Sequence, residues 1–180
     1  MRIKRFFSII VWIIFPLSII AQNPKSKLLP TELLGVALGM NAEQVKAALE
    51  ENGMEVSSSS FAEDGALHTI ICGYIPYYDE WIIQYGVKFN KISVKLNKNG
   101  VYWMNALDED ELESRKNTLE NANKIFNFLK AHYILQESSY SGMSGYKFDK
   151  DFIDDNNTSF SIYIGNFSDI TQVSISKKKH

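Results

Sequence analysis

The spacing of apolar residues predicts a first helix over residues 42–52. Its apolar positions recur three and four residues apart, and they are Val45, Ala48 and Leu49. Asn41 and Gln44 have the spacing of a capping box, in which each side chain bonds the backbone of the other residue. Gly53 is placed to end the helix in a left-handed conformation. All local signals therefore agree on this helix.

A second, longer helix is predicted over residues 109–132. Asp108 is placed to cap it, and Glu111 completes a second capping box. The positions that follow the helical period and are expected to be buried are Leu112, Leu119, Ala122, Phe126, Leu129 and Tyr133. The opposite face is charged, as is typical of a solvated surface, and carries Glu113, Lys116, Glu120 and Lys124.

Alternation of apolar and polar residues predicts strands after each helix. After the first helix, strands are expected at 67–74, 81–89, 92–96 and 101–104. Asn99-Gly100 is a hairpin signal, whereas the serines from Ser57 to Ser60 indicate a turn or linker. In the 81–89 strand, Trp81, Tyr85 and Phe89 are expected in the core. After the second helix, short strands are expected at 134–140, 160–164 and 172–176.

The order of the elements indicates an α+β fold with helices packed on a mostly antiparallel sheet. Helix and strands occur twice, which favours two tandem units at 34–106 and 107–176 within one α+β domain over 34–176. Residues 22–33 are polar and carry two prolines, so they are expected to form an exposed lead-in. Residues 177–180 form a short basic tail.

Residues 1–21 have the pattern of a secretory signal peptide. Three basic residues lie among the first five, an apolar run of 15 residues extends from Phe6 to Ile20, and Ala21 is a small residue at the exit. The run is shorter than the roughly 20 apolar residues that span a bilayer, so no permanent membrane anchor is expected. No cysteine near Ala21 provides the acceptor that a lipoprotein needs. We therefore expect a mature protein that is periplasmic or secreted.

Composition and charge restrict the classes of function. The chain has 180 residues, of which 45% are hydrophobic, and a formal net charge of −2. Loss of the three basic residues of the signal peptide changes this charge to −5, and a mildly acidic body gives no electrostatic footprint for nucleic acid. The single cysteine, Cys72, has no partner for an internal disulfide and is expected to be a buried structural thiol.

The candidate chemical groups do not form a catalytic or metal-binding pattern. His68 and Cys72 share one face of a predicted strand but lie roughly 13 Å apart, too far for a hydrogen bond. The other histidines, His132 and His180, are distant in sequence, and no serine or cysteine lies in a nucleophile motif. The acidic stretch 149–157 lacks the glycine of a calcium loop and is expected to be a solvated loop. No catalytic residue, metal or cofactor is predicted.

The loop at residues 73–80 holds the candidate binding residues. Tyr74, Tyr77 and Tyr78 crowd together beside Asp79, and exposed tyrosines are favoured anchors at protein interfaces. We expect this loop and the sheet face left free by the helices to contact a protein or peptide, such as another envelope or extracellular protein. A glycan stacked on the same rings is one alternative, and rings that only cover the sheet edge are another.

One segment carries a family resemblance. Residues 34–45 read Leu-Gly-Val-Ala-Leu-Gly-Met-Asn-Ala-Glu-Gln-Val, followed by Leu49 and Gly53. This pattern resembles the start of the SmpA/OmlA outer-membrane assembly lipoproteins and of the repeats of the β-lactamase inhibitory protein. The resemblance implies helices packed on a small antiparallel sheet whose exposed face contacts other proteins. The chain departs from both families, since it lacks the acylated cysteine of the first and the paired cysteines of the second.

The sequence therefore predicts an exported binding module that is not an enzyme. The main reason is that no nucleophile, metal or acid–base signature is visible. An exported hydrolase is the alternative, because catalytic residues can come from distant strands and meet only in the folded protein.

Overall fold

The computed structural model describes residues 24–63, 65–76, 81–107, 114–139, 145–165 and 170–177, with only the backbone of 114–116. The predicted signal peptide and residues 178–180 of the basic tail lie outside these ranges. The elements are β1 (Glu32–Leu33), β2 (Val36–Ala37), α1 (Ala42–Glu51), β3 (Glu55–Glu63), β4 (Ala66–Tyr74), β5 (Ile82–Gln84), β6 (Val87–Phe89), β7 (Lys91–Asn97), β8 (Gly100–Leu107), α2 (Ser114–His132), β9 (Tyr146–Ile153), β10 (Thr158–Gly165) and β11 (Gln172–Lys177).

Seven of these strands form one antiparallel sheet, in the order β3-β4-β7-β8-β11-β10-β9. The strands that follow α1 lie on one side of the sheet and those that follow α2 on the other, and β8 pairs with β11 where the two groups meet. The short hairpins β1–β2 and β5–β6 are separate from the sheet. The predicted α+β class is confirmed. The tandem units at 34–106 and 107–176 stay a prediction.

Helix α1 begins as the sequence predicted. The Asn41 side chain accepts the Gln44 N–H at 3.0 Å, and the Gln44 side chain accepts the Asn41 N–H at 3.0 Å. Gly53 follows the helix with a φ of 75°, a left-handed conformation that glycine adopts at low cost. Val45 and Leu49 are buried, and this apolar face packs on β3 and β4.

Helix α2 confirms part of the predicted stripe: Ala122 and Leu129 are buried, whereas Phe126 and Tyr133 are only half-buried. Ala122, Ile125 and Leu129 are fully buried, and Thr118 is nearly so. Leu119 is 57% exposed, so the prediction that it lies in the core is wrong. Packing against β6 and β10 centres the buried stripe on Ala122, Ile125 and Leu129, and Leu119 lies outside it.

The charged face of α2 is solvated as predicted. Glu120 and Lys124 are both exposed and form an ion pair of 2.9 Å. The predicted cap at Asp108 and Glu111, with the core position Leu112, lies outside the described residues. Among the described residues, no helix is long and apolar enough to cross a membrane.

Two expectations for the first group of strands are wrong. The serines from Ser57 to Ser60 lie in the middle of β3 and not in a turn. Residues 81–89 do not form one strand, because Tyr85 and Gly86 have φ angles of 55° and 77° and turn the chain back into the β5–β6 hairpin. In a single strand, Ile83 and Phe89 would lie on the same face. The two-residue turn instead pairs Phe89 with Ile82, so Ile83 lies on the opposite face from Phe89. Ile83 is therefore 67% exposed, whereas Phe89 is fully buried.

The predicted core positions in this segment have different outcomes. Phe89 lies in the core as predicted. Trp81 and Tyr85 are only half-buried. Burial raises the pKa of the Tyr85 hydroxyl above its ordinary value, because the phenolate is poorly solvated among the rings of Phe128 and Phe160.

The second group of strands also differs from its prediction. The acidic stretch 149–157 is not a single loop, since its first half belongs to β9 and only 154–157 forms the turn to β10. The segment 134–140 forms no strand among its described residues and contacts β9 through a bridge from Glu137 to Phe152 and an ion pair of 2.7 Å between Glu137 and Lys150. The strands predicted at 160–164 and 172–176 are confirmed as β10 and β11.

The lead-in at residues 22–33 is only partly exposed. Its Leu29 and Leu33 are buried in the core, which corrects the prediction for the second half of the segment. The buried carboxylate of Asp154 accepts the N–H groups of Leu29, Asn156 and Thr158, each at 2.9 Å. One side chain of the acidic stretch thus joins the lead-in to the β9–β10 turn.

We expect the substitution Asp154→Asn to lower the free energy of unfolding by about 1–3 kcal/mol. The two oxygens of the Asp154 carboxylate accept the Leu29 and Thr158 N–H groups separately. The asparagine amide has only one acceptor oxygen, so one of these two buried N–H groups loses its hydrogen-bond partner. Urea unfolding at neutral pH measures the effect. The control is Asp155→Asn at the exposed neighbouring position, and an equal change in both variants would contradict the structural role of Asp154.

Candidate functional site

The two faces of the seven-stranded sheet differ in chemistry. On one face, Ile92, Val94 and their cross-strand neighbours are fully buried under the helices. The alternate residues of β7, which include Ser93 and Lys95, point to the other face and are half-buried. We call this second face, opposite α1 and α2, the open face. Its half-buried and exposed side chains, Ser93 and Lys95 among them, remain accessible for further contacts.

A row of short polar side chains crosses the open face, with one residue from each strand. The strand registers place these residues directly opposite one another in the order Ser57, Cys72, Ser93, Asn105, Ser174, Ser161 and Asp151. We call them the polar row. On one side, larger side chains border most of its length, and they include Tyr74, Lys91, Leu107 and Tyr163. On the other side, Ile70, Lys95 and Trp103 border it over β4, β7 and β8, whereas the registers place Ser59, Ser176 and Ser159 on β3, β11 and β10. Over β4, β7 and β8 the polar row therefore forms the floor of a groove.

Hydrogen bonds order the polar row on the side of the sheet that follows α2. Asn105 is buried although it lies on the open face. Its amide oxygen accepts the Tyr163 hydroxyl at 3.1 Å, and its amide nitrogen donates to the Gln172 amide oxygen at 3.4 Å, so both polar atoms have partners. Burial raises the pKa of Tyr163 to about 12, so its hydroxyl remains a donor at neutral pH. The Asp151 carboxylate accepts the Ser161 hydroxyl at 2.6 Å. These side chains are held in fixed orientations.

Aromatic side chains gather at one end of the open face. The Lys95 ammonium lies 5.1 Å from the ring centroid of Trp103 and 5.7 Å from that of Phe61. The His68 ring stacks on Phe61 at 5.4 Å and meets the edge of Tyr102 at 5.5 Å. An irregularity in the β7–β8 register after Lys95 inserts Tyr102 on the same side as Trp103. These five residues form what we call the aromatic cluster.

The described histidines do not meet a catalytic partner. His68 is 3% exposed, and its Nδ1 atom has no hydrogen-bond partner in the part of the chain that the structure describes. The Nδ1 atom of His132 lies 2.8 Å from the carbonyl oxygen of Phe128, one turn earlier in α2. Cys72 is half-buried and not fully buried as predicted, because it lies on the open face with its Sγ atom 3.6 Å from the Ser93 hydroxyl.

Of the predicted binding residues, the structure describes Tyr74. Its ring is 43% exposed, and its hydroxyl donates a hydrogen bond to the Glu55 carboxylate, which raises the pKa of Tyr74 above its ordinary value. Tyr74 lines an open cleft of about 270 Å³ together with Cys72 and Lys91. Tyr77, Tyr78 and Asp79 lie outside the described residues. The predicted role of all four in binding stays a prediction.

Sequence reasoning missed most of this site. The alternation of Lys91, Ser93 and Lys95 had indicated a polar face on β7, and β10 and β11 carry the same signal in their serines. The sequence does not contain the register that aligns Asn105 with Ser174. Among the described residues, no group of three or more histidine, cysteine, aspartate or glutamate side chains is arranged to hold a metal ion.

Comparison with known proteins gives no relative from which a function can be transferred. No protein-family model matches the chain. No curated protein and no solved structure matches it either. The resemblance to the SmpA/OmlA lipoproteins and to the β-lactamase inhibitory protein therefore stays an expectation.

Proposed function

We propose that this protein is an exported binding module that holds a protein or peptide partner on the open face of its sheet. The observation that carries the proposal is the polar row, which crosses all seven strands and is bordered on both sides by larger side chains over β4, β7 and β8. Its export depends on the predicted signal peptide at residues 1–21 and places the mature chain in the periplasm or outside the cell.

The dimensions of the groove suit an extended polypeptide. Neighbouring strands lie about 4.8 Å apart, so the polar row is roughly 29 Å long. An extended segment rises about 3.3 Å per residue, and eight or nine residues would fill this length. The hydroxyls of Ser57, Ser93 and Ser174, which are exposed or half-buried, supply both donors and acceptors, which is what a peptide backbone requires.

The borders of the groove supply anchors. Trp103 and Tyr74 are at least partly exposed, and the two lysines Lys91 and Lys95 are half-buried beside them. Aromatic rings lose little conformational entropy when a partner immobilises them, and they commonly carry much of the binding energy at interfaces. Tyr77, Tyr78 and Asp79 follow β4 in the sequence and are part of the same proposed contact.

The surroundings of the histidines support a non-enzymatic role. An activated nucleophile needs a base within hydrogen-bond reach, itself oriented by a third group. His68 is enclosed by the rings of Phe61 and Tyr102, and His132 contacts a carbonyl oxygen of its own helix. We therefore favour binding over hydrolysis as the function of the open face.

We expect the substitution Ser93→Arg to abolish partner capture from the native envelope or medium. A long charged side chain in the middle of the polar row would fill the groove floor, and its polar end would still reach solvent. Trp103→Ala is expected to weaken the same capture at least tenfold. The measurement is mass spectrometry of proteins retained by the immobilised mature chain.

The control is Leu119→Arg, which adds the same charge at an exposed position on α2, on the opposite side of the sheet. This variant should retain what the wild-type chain retains, and all variants should keep nearly the same melting temperature. Capture that survives Ser93→Arg would place the binding surface elsewhere. If the immobilised chain retains a glycan and no protein, the partner is a glycan and the proposed protein or peptide partner is wrong.

A further inference from the structure

In the part of the chain that the structure describes, strand β3 is a free edge of the sheet. Within the described residues, β3 pairs with β4 on one side and with no strand on the other. The opposite edge is different, because the Ser138 N–H donates to the Asp151 carbonyl at 2.8 Å and the Ile153 N–H donates to the Gln136 carbonyl at 3.0 Å. In an antiparallel edge strand, every second residue directs its N–H and C=O groups outward. β3 therefore presents a row of backbone donors and acceptors.

This edge lacks the usual protection against strand addition. Natural edge strands are commonly short, bulged, or interrupted by proline or lysine. β3 has nine residues with a continuous register from Glu55 to Glu63, contains no proline or lysine, and has four exposed serines from Ser57 to Ser60 at its centre. Its geometry is that of a strand that can accept a neighbour along its whole length.

The charges at the two ends of β3 define the neighbour that fits. Glu55 and Glu63 are eight positions apart, so they lie on the same face of the strand, and both are exposed. The Tyr74 hydroxyl donates to the Glu55 carboxylate, and the Tyr102 hydroxyl donates to the Glu63 carboxylate at 3.3 Å. These hydrogen bonds fix the two carboxylates at the two ends of β3, on the side of their donors in β4 and β8. A strand with basic residues at the facing positions would be electrostatically complementary.

A second copy of the chain is a poor neighbour. Two-fold antiparallel pairing of β3 with itself, centred on Ser59, would place a glutamate opposite a glutamate at both ends of the pair. Like charges directly opposite each other in antiparallel strands are destabilising. The sequence of β3 therefore disfavours the symmetric dimer that a bare edge otherwise promotes.

We propose that β3 binds an extended segment of another protein as an eighth strand of the sheet, with lysine or arginine opposite Glu55 and Glu63. Backbone hydrogen bonds along β3 supply the affinity in this mode of recognition, and the side chains at the ends supply the specificity. The proposal concerns the edge and does not require that the open face bind anything.

The probe is a synthetic nine-residue peptide of alternating valine and threonine with lysine at both ends. The comparison peptide has the same sequence except that glutamate replaces lysine at both ends. Fluorescence anisotropy with the mature chain is expected to show at least tenfold tighter binding of the lysine peptide. The double variant Glu55→Lys/Glu63→Lys should reverse this preference. The control Glu120→Lys/Asp155→Lys changes the net charge equally at exposed positions away from β3 and should keep the preference.

Backbone methylation of the peptide tests strand addition itself. Methyl groups on one set of alternate nitrogens remove the donors that face β3 and should abolish binding. Methyl groups on the other set face solvent and should leave binding within a factor of about three. Equal effects of the two sets would overturn the proposal, since binding through side chains alone does not distinguish them.

Other outcomes separate this proposal from the function proposed for the open face. Ser93→Arg is expected to leave peptide binding unchanged, because it lies two strands away from the β3 edge. Equal binding of the lysine and glutamate peptides would overturn the edge proposal even if Ser93→Arg abolishes partner capture. Sedimentation could also show that the wild-type chain is a dimer and that the double variant Glu55→Lys/Glu63→Lys is a monomer. This result would identify a second copy of the chain as the occupant of the β3 edge and would overturn the edge proposal as well.

Discussion

Replacing Leu129 by alanine is expected to lower the free energy of unfolding by about 2–5 kcal/mol. Leu129 is fully buried in α2 and belongs to the same core cluster as Phe89 and Phe160. The substitution removes apolar surface from the core and leaves a cavity that the surrounding strands fill only in part. Urea unfolding followed by circular dichroism gives the difference directly.

Leu119→Ala is the matched control for this prediction. It makes the same chemical change in the same helix at a side chain that is 57% exposed, so the expected loss is below about 0.5 kcal/mol. A loss at Leu119 as large as the loss at Leu129 would show that Leu119 is also buried in the core and would contradict the observed orientation of α2. The pair therefore tests the rotation of α2 about its axis.

Replacing Gly100 by alanine is expected to lower the free energy of unfolding by about 2–5 kcal/mol. Gly100 has a φ of 97°, and a Cβ atom there would overlap the carbonyl oxygen of Gly39. The Gly39 N–H donates to the Val101 carbonyl and the Val101 N–H donates to the Met40 carbonyl, each at 2.9 Å. Displacement of residues 39–40 would break both bonds and disturb the start of α1.

Gly86→Ala isolates the backbone contribution to this effect. Gly86 also has a positive φ, 77°, but no heavy atom lies within 4 Å of the position that its Cβ would occupy. Only the left-handed strain of about 1–2 kcal/mol is expected. Differential scanning calorimetry of both variants measures the difference. Equal melting temperatures would mean that contact between residues 39–40 and the β7–β8 hairpin contributes nothing to stability.

The sequence by itself determined the local elements of this protein. The capping box of Asn41 and Gln44 and the left-handed Gly53 bracket α1 as expected, and the turn before Gly100 joins β7 to β8. These features depend on atoms only a few residues apart, so their free energies depend little on the rest of the chain. The same local information was sufficient for the α+β class, which follows from the order of the elements.

Tertiary structure decided which of several locally acceptable arrangements is adopted. Leu119 and Ile125 both belong to helical stripes, and only packing against β6 and β10 determines that Ile125 is buried. The serines from Ser57 to Ser60 have a weak preference for strands, but pairing with β4 satisfies their backbone groups and makes them part of β3. The intrinsic strand propensity of a residue contributes little free energy compared with such strand pairing.

The polar row has the same origin. Parity along each strand assigns a residue to one face, but the register that brings Asn105 beside Ser174 joins positions far apart in the chain. That register is fixed by burial of the opposite face, since a shift of one residue would move every core side chain to the open face. The free energy of burying Met104 and Ile175 under the helices therefore decides where the polar side chains of the candidate site meet.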